Sequence, residues 1–299
     1  MDLNKALSEG TNSAGGYSVP EIWAKKLYDL MQEKSKLIPL CEVVNMTSDT
    51  WYAPTVTDGS TAYWVAELGT ITASDLTFGQ VTLTAKKVAA KIQLSTELDE
   101  DSMVDIMKLV SNQMATDLAL AVDSEILNGT GGQFTSYWRT IAGNSVAASG
   151  DNGDAITTAK FSNALYEGQV DYMSYNWAIM HPRCLRDVRN LTDANARPIF
   201  NQETFGSPLL KTGAIGTILG LKVMEHTSIP ITITKGSGTT LTDVIVVQSK
   251  KCGIFGKRRG LTAHKFYDID DDSWYLQVNM RVAFAVAYAD AICLIKDIT

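Results

Sequence analysis

Val81-Thr82-Leu83-Thr84-Ala85-Lys86-Lys87-Val88-Ala89-Ala90-Lys91-Ile92-Gln93-Leu94-Ser95 is the longest strand signal in the chain. Val81, Leu83 and Ala85 share one face, whereas Val88, Ala90, Ile92 and Leu94 share a face of opposite parity. A period-two pattern cannot change parity without an extra residue, so a bulge or bend is predicted near Lys86-Lys87. At about 3.3 Å per residue such a run reaches roughly 50 Å, more than the core of a compact domain requires. Upstream, Trp51-Tyr52-Ala53-Pro54 and Tyr63-Trp64-Val65 read as aromatic strand pieces, with turns at Asp58-Gly59 and Ser74-Asp75. Thr50 to Ser95 is therefore predicted to be a long two-stranded excursion. Such a ribbon is marginal alone and must lie on something else.

After it comes the clearest helix. Ser102-Met103-Val104-Asp105 resembles a capping box, with Asp for the usual Glu or Gln. Met103, Ile106, Met107, Val110, Met114, Leu118, Val122 and Ile126 follow at three- and four-residue steps, and Asn128-Gly129 ends the run. At 1.5 Å per residue this is a spine of about 40 Å. Its methionines read as a core stripe packed on a sheet.

Before the ribbon, residues 1–20 are rich in Ser, Gly, Asn and Thr and read as an extended arm. Glu21 to Glu33 reads as a short amphipathic helix behind Pro20. Beyond Gly153 the chain alternates. Helices are predicted over 155–171 and 182–191, and strands over 177–180, 223–224, 243–248, 274–288 and 291–295. The class is α+β with a discontinuous layout.

The chain has 299 residues, 45% hydrophobic and 20% charged, which suits either two domains or one domain with large excursions, with a real core. A net charge of −7 argues against gripping nucleic acid, which needs concentrated Lys and Arg. Cys41, Cys184, Cys252 and Cys293 are scattered, so buried free thiols in a reducing cytosol are expected rather than disulfides or zinc. No apolar signal run and no 18-residue apolar stretch is present, so neither membrane nor secretion is expected.

Catalytic motifs are missing. His181, His226 and His264 show no metal-like spacing, and no Gly-x-Ser-x-Gly elbow, Walker loop or His-Glu-x-x-His occurs. Gly129-Thr130-Gly131-Gly132 follows a helix rather than a strand, against a dinucleotide loop. Asp268-Ile269-Asp270-Asp271-Asp272 opens like a calcium loop but has Ser273 where Gly is needed and Asn279 where Glu is needed. It reads as a solvated turn between two strands. The run Lys250-Lys251, Lys257-Arg258-Arg259 and Lys265 is the one strong positive cluster. It, or Lys86-Lys87, is expected to meet the Asp268 to Asp272 turn of a neighbouring copy. No enzyme activity, metal or cofactor is expected.

An ordered set of segments resembles one family. Ala14-Gly15-Gly16-Tyr17-Ser18-Val19-Pro20 is similar to the arm of tailed-bacteriophage major capsid proteins. Trp64-Val65-Ala66-Glu67 and Ser74-Asp75-Leu76-Thr77-Phe78 resemble their extended loop. Leu94-Ser95-Thr96-Glu97-Leu98 with Asp101-Ser102, and then Asp123 to Gly131, resemble the two ends of their spine helix. Met180-His181-Pro182, Gly220-Leu221-Lys222-Val223 and Arg281-Val282-Ala283 match the later half.

The resemblance implies the Hong Kong 97 (HK-97) type fold. Arm and short helix would cover 1–35 and the extended loop 50–85. The peripheral domain would take 36–49, 86–150 and 250–287, and the axial domain 151–249 and 288–299. It implies self-assembly, through pentamers and hexamers, into an icosahedral shell around double-stranded DNA. Scaffolding protein and portal would be partners, and assembly would occur in the host cytoplasm. Trp64, Glu67, Lys86, Lys87, Lys257, Arg258, Arg259, Asp268, Asp270, Asp271 and Asp272 are the candidate inter-subunit contacts. The runner-up is an encapsulin-like nanocompartment, and a third class is a soluble hydrolase with an unrecognised site.

Some relatives carry an N-terminal scaffolding extension. Here the arm begins almost at once, so scaffolding is a separate protein or a segment has been removed. Some relatives also cross-link a loop lysine to an asparagine, aided by a glutamate. Those positions fall at Thr70 or Ile71, near Asp272 and near Asn279, so a shell without such cross-links is expected.

Overall fold

The computed structural model describes residues 35–62, 64–70, 73–97, 106–129, 132–148, 150–202, 213–269 and 272–299. The predicted arm, the helix over 21–33 and the Ser102 capping box lie outside these residues. A 3-10 turn (Ile38–Leu40) precedes β1 (Glu42–Asn45), β2 (Thr50–Asp58), β3 (Thr77–Thr84) and β4 (Lys86–Ser95). Then come α1 (Ile106–Asn128), α2 (Trp138–Ile141), β5 (Asn144–Val146), α3 (Thr158–Val170), β6 (Trp177–Met180) and α4 (Pro182–Arg189). The rest is β: β7 (Asn201–Gln202), β8 (Gly216–Ile218), β9 (Leu221–Glu225), β10 (Ile233–Lys235) and β11 (Gly238–Val247), then β12 (Ile254–Asp268), β13 (Ser273–Ala285) and β14 (Ile292–Ile298).

The parity change has the predicted consequence. The 81–95 run is not one strand; it breaks at Ala85, whose N–H donates to Asp49 O at 2.8 Å. Leu83 and Ala85 are buried before the break and Leu94 after it, with Lys86 and Lys87 both exposed between. Two residues in a row face water because the strand re-aims there. β3 pairs with β2 and β4 with β13, so only the first half belongs to a ribbon.

The chain divides into two compact units. The first holds Ser35 and residues 87–121 and 259–281 among those described. There β13 lies between β12 and β4. Leu94, Leu261, Ala263, Leu276, Val278 and Met280 are buried on its strands, as are Ser111, Met114, Ala115, Leu118 and Ala119 on α1. Of the expected stripe Met114 and Leu118 are buried here and the alanines widen it, while Met103 and the side chain of Met107 lie outside what is described. At the hairpin end Phe266 stacks on Tyr275 at 5.2 Å, and the Lys91 ammonium sits 3.8 Å from the Tyr275 ring centre.

The second unit holds 36–86, 122–258 and 282–299. Its large mixed sheet runs β5-β14-β11-β6-β9-β8-β7, with β10 beside β11. On one face Ala178, Met180, Val223, Val244, Val246 and Cys293 meet Phe161 and Ala164 of α3 and Cys184, Leu185 and Val188 of α4. Trp177, Ile179, Ile245 and Val247, of the other parity, are buried too. A sheet covered on both faces needs unbroken apolar strands, which is why Val244-Ile245-Val246-Val247 shows no alternation.

Sequence reading missed β12, whose centre carries Lys257-Arg258-Arg259 between Gly256 and Gly260. Glycine and consecutive charges hide a strand that pairing with β1 and β13 stabilises. Trp64-Val65, expected as a strand, lies in irregular chain instead.

Candidate assembly surfaces

In the ribbon, Trp51 faces Leu83 and Ala53 faces Val81 across the two strands, while Tyr52 faces Thr82 and Val56 faces Phe78. Directly opposed residues share a face, so the ribbon has two distinct sides. The first side roots the ribbon: Ala53, Leu83 and Ala85 are buried with Met46, Ile254, Ala283 and Ala285. The second carries Tyr52, Val56 and Phe78, exposed by 58%, 49% and 67%. Beyond the strands, Trp64 and Leu68 are fully exposed and Leu76 half-exposed. The connection reverses at Ala66 to Gly69, where Leu68 takes a φ of 64° and Gly69 N–H reaches Ala66 O at 2.9 Å. Single exposed hydrophobics are ordinary, but an aromatic and aliphatic row on one ribbon face marks a surface awaiting a partner.

The charged candidates are less unified than the sequence suggested. Glu67, Lys86, Lys87 and Arg259 are exposed, and Lys257, Arg258 and Asp268 are half-buried. Arg258 pairs with Asp49 of its own chain at 3.4 Å. Lys250 donates its ammonium to Pro39 O and Cys41 O, at 3.2 and 3.1 Å, and Lys265 lies over the Trp274 ring at 4.2 Å. Asp270 and Asp271 lie outside the described residues. Asp272 sits at a φ of 43°, and its carboxylate accepts from the hydroxyls of Tyr267 and Thr96. Ser273 Oγ accepts from Gln93 at 3.0 Å. These bonds build a turn that ties three strands together. Among the described residues no cluster of three or more His, Cys, Asp or Glu is placed to hold a metal.

One polar cluster was missed altogether. Asp123 and Glu125 are buried near the end of α1. Asp123 Oδ2 accepts from Lys36 N–H at 3.0 Å and lies 3.3 Å from His226 Nε2. Because Ser228 N–H donates to His226 Nδ1 at 3.2 Å, the imidazole proton sits on Nε2 and is given to Asp123. Lys36 Nζ donates to Glu225 O at 3.0 Å. Glu125 accepts from the backbone N–H of Gln133 and Phe134 after the helix. This is fastening of the chain around a helix end. His181 is structural as well: it caps α4 by accepting from Arg183 N–H at 3.1 Å. Burial first, then Arg183, pushes its pKa down. The signal for Asp123 and Glu125 was two carboxylates at the end of an apolar helical stripe.

Burial pushes the thiols of Cys184 and Cys293 up to about 12, so neither supplies a nucleophile at neutral pH. Asn279 is buried and accepts from Thr262 Oγ1 at 2.6 Å, and Thr70 is exposed on the ribbon connection.

The description of one protein family, the phage capsid family, matches residues 15–297. The chain belongs to the phage capsid family. No curated protein matches it significantly. Among solved structures it is similar to the capsid of a native GTA particle, with TM-score 0.69 and 18% identity over 89% of this chain and 91% of that one. The Microbacterium phage Oxtober96 structure gives 0.69 and 18% over 87% and 90%. The SrpI encapsulin of Synechococcus elongatus gives 0.63 and 13% over 88% and 86%. This capsid-family chain therefore has the HK-97-type α+β fold and is a shell-forming major capsid protein, a structural component of the virion.

Proposed function

We propose that copies of this chain assemble, as pentamers and hexamers, into the icosahedral head that encloses a phage double-stranded DNA genome. The observation that carries this reading is the ribbon, rooted on one face and bare on the other. Residues 50–85 serve as the extended loop, 1–35 as arm and short helix, and 36–49, 86–150 and 250–287 as peripheral domain. Residues 151–249 and 288–299 serve as axial domain. Assembly takes place in the host cytoplasm, with scaffolding protein and portal as partners, and the chain performs no catalysis. Electron microscopy of the purified protein tests this: closed shells are expected, and a persistent monomer would end the proposal. The encapsulin likeness supports a second reading, a compartment for protein cargo. Particles from the native host distinguish the two, since nuclease-protected DNA belongs only to the first.

The acidic turn and the basic strand face neighbours in the shell. Arg258→Glu with Arg259→Glu is expected to lower particle yield severalfold while leaving the melting temperature of the subunit within a few degrees. Exposed pairs contribute only about 0–1 kcal/mol each, but every interface repeats them. Normal yield at physiological salt would remove these two arginines from the interface.

The shell is held without isopeptide bonds, because Thr70 or Ile71, Asp272 and Asn279 replace lysine, asparagine and glutamate. Boiled particles are expected to run as a single monomer band on denaturing electrophoresis. A ladder of multiples would contradict it.

A further inference from the structure

Cys41 follows the 3-10 turn and Cys252 stands just before β12; both are fully buried. The two segments run side by side. Lys250 N–H donates to Leu40 O at 2.6 Å and Glu42 N–H to Gly253 O at 2.9 Å. This ladder flanks both cysteines, and the contact of Cys252 Sγ with Leu40 O sets its sulfur against the residue that precedes Cys41. Cys41 Sγ donates to Leu37 O at 3.5 Å and Cys252 Sγ to Leu40 O at 3.7 Å. The neighbouring Cys252 is the leading reason Cys41 titrates well above its ordinary range, ahead of burial. For Cys184 and Cys293 the leading cause is burial alone.

We propose that Cys41 and Cys252 are a dithiol that stays reduced in the cell and closes to a disulfide once the particle reaches an oxidising medium. The change of medium rests on the virion reading; the chemistry does not. The oxidant is a peroxide, small enough to enter where a bulky disulfide is excluded. One thiolate attacks a peroxide oxygen, the O–O bond breaks, and the hydroxide released leaves as water after taking a proton. The sulfenic acid formed is then attacked by the second sulfur. The S–O bond breaks and the second thiol's proton leaves with the oxygen as another water. Two electrons pass from the sulfurs to the peroxide, which becomes two waters. Burial and a scarce thiolate make the closure slow. The bond ties the turn after the N-terminal segment to the root of β12.

The test uses the full-length protein, folded, with and without hydrogen peroxide, then denatured in excess N-ethylmaleimide and weighed intact. Untreated protein is expected to take up four labels, one per cysteine. Oxidised protein should take up two and weigh two hydrogens less before labelling, with the peptides of Cys41 and Cys252 joined. Cys41→Ser should abolish the change; if it does not fold, Cys252→Ala serves the same purpose. Four labels after oxidation, added oxygen on either sulfur without a bond, or a bond to Cys184 or Cys293 would each overturn the proposal. Protein that oxidises as described but never assembles would instead count against the shell reading.

Discussion

Val56→Asp combined with Phe78→Asp is expected to give a folded subunit that forms no shells. The two side chains oppose each other on the exposed face of the ribbon, and neither belongs to the buried cluster at its root. Removing them takes nothing from the buried cluster, and the repulsion of the two opposed carboxylates costs the isolated subunit at most about 1 kcal/mol. Docked on a neighbouring copy, each would bury apolar surface contributing about 1.5–3 kcal/mol, and a carboxylate there faces desolvation instead. The loss recurs at every ribbon of the shell, so particle yield should fall to background in electron microscopy or sedimentation. Circular dichroism should match wild type, and the melting temperature should fall by no more than a few degrees. Wild-type yield of particles would mean that this face of the ribbon touches nothing.

Asp123→Ala is expected to destabilise the subunit itself by about 3 kcal/mol. The change leaves two donors, the half-buried Lys36 N–H and the buried His226 Nε2–H, without the carboxylate that now accepts from them. Each orphaned donor costs about 1–3 kcal/mol, with the upper end fitting a charged acceptor. Asp123→Asn keeps one accepting oxygen and should recover part of the loss. Chemical denaturation of the unassembled subunit reads both values. A change below about 1 kcal/mol for the alanine variant would show that the cluster is not a fastening, because a surface substitution costs no more than that. The two experiments separate the layers of the molecule, since the ribbon substitution leaves the subunit and breaks the shell.

Much of this was legible in the residues, wherever side-chain periodicity answers to local geometry. The parity change across Ala85 to Val88 foretold the break between β3 and β4, because pleating permits no other way to keep apolar side chains inward. The stripe from Met114 to Ile126 and the Gly129 end, with its φ of 61°, foretold the end of α1. Trp177 to Met180 foretold a strand, which the fold buries on both faces.

What stayed hidden depended on partners distant in sequence. β12 is a strand because β1 and β13 satisfy its backbone, and nothing in Gly256-Lys257-Arg258-Arg259-Gly260 declares it. The basic run reads as one patch in sequence because its residues are neighbours along the chain. Folding gave Lys250 to carbonyls of the turn, Arg258 to Asp49 and Lys265 to Trp274. Asp123 lies 103 residues from His226, and only the fold brings the two together and buries both. Sequence alone determined the local elements and, through the ordered motifs, the family, because propensity and pleat parity are set by neighbours along the chain. Only the tertiary structure decided which charges are spent inside the subunit and which ribbon face is left bare, because pairing and burial are settled by residues that meet only once the chain has folded.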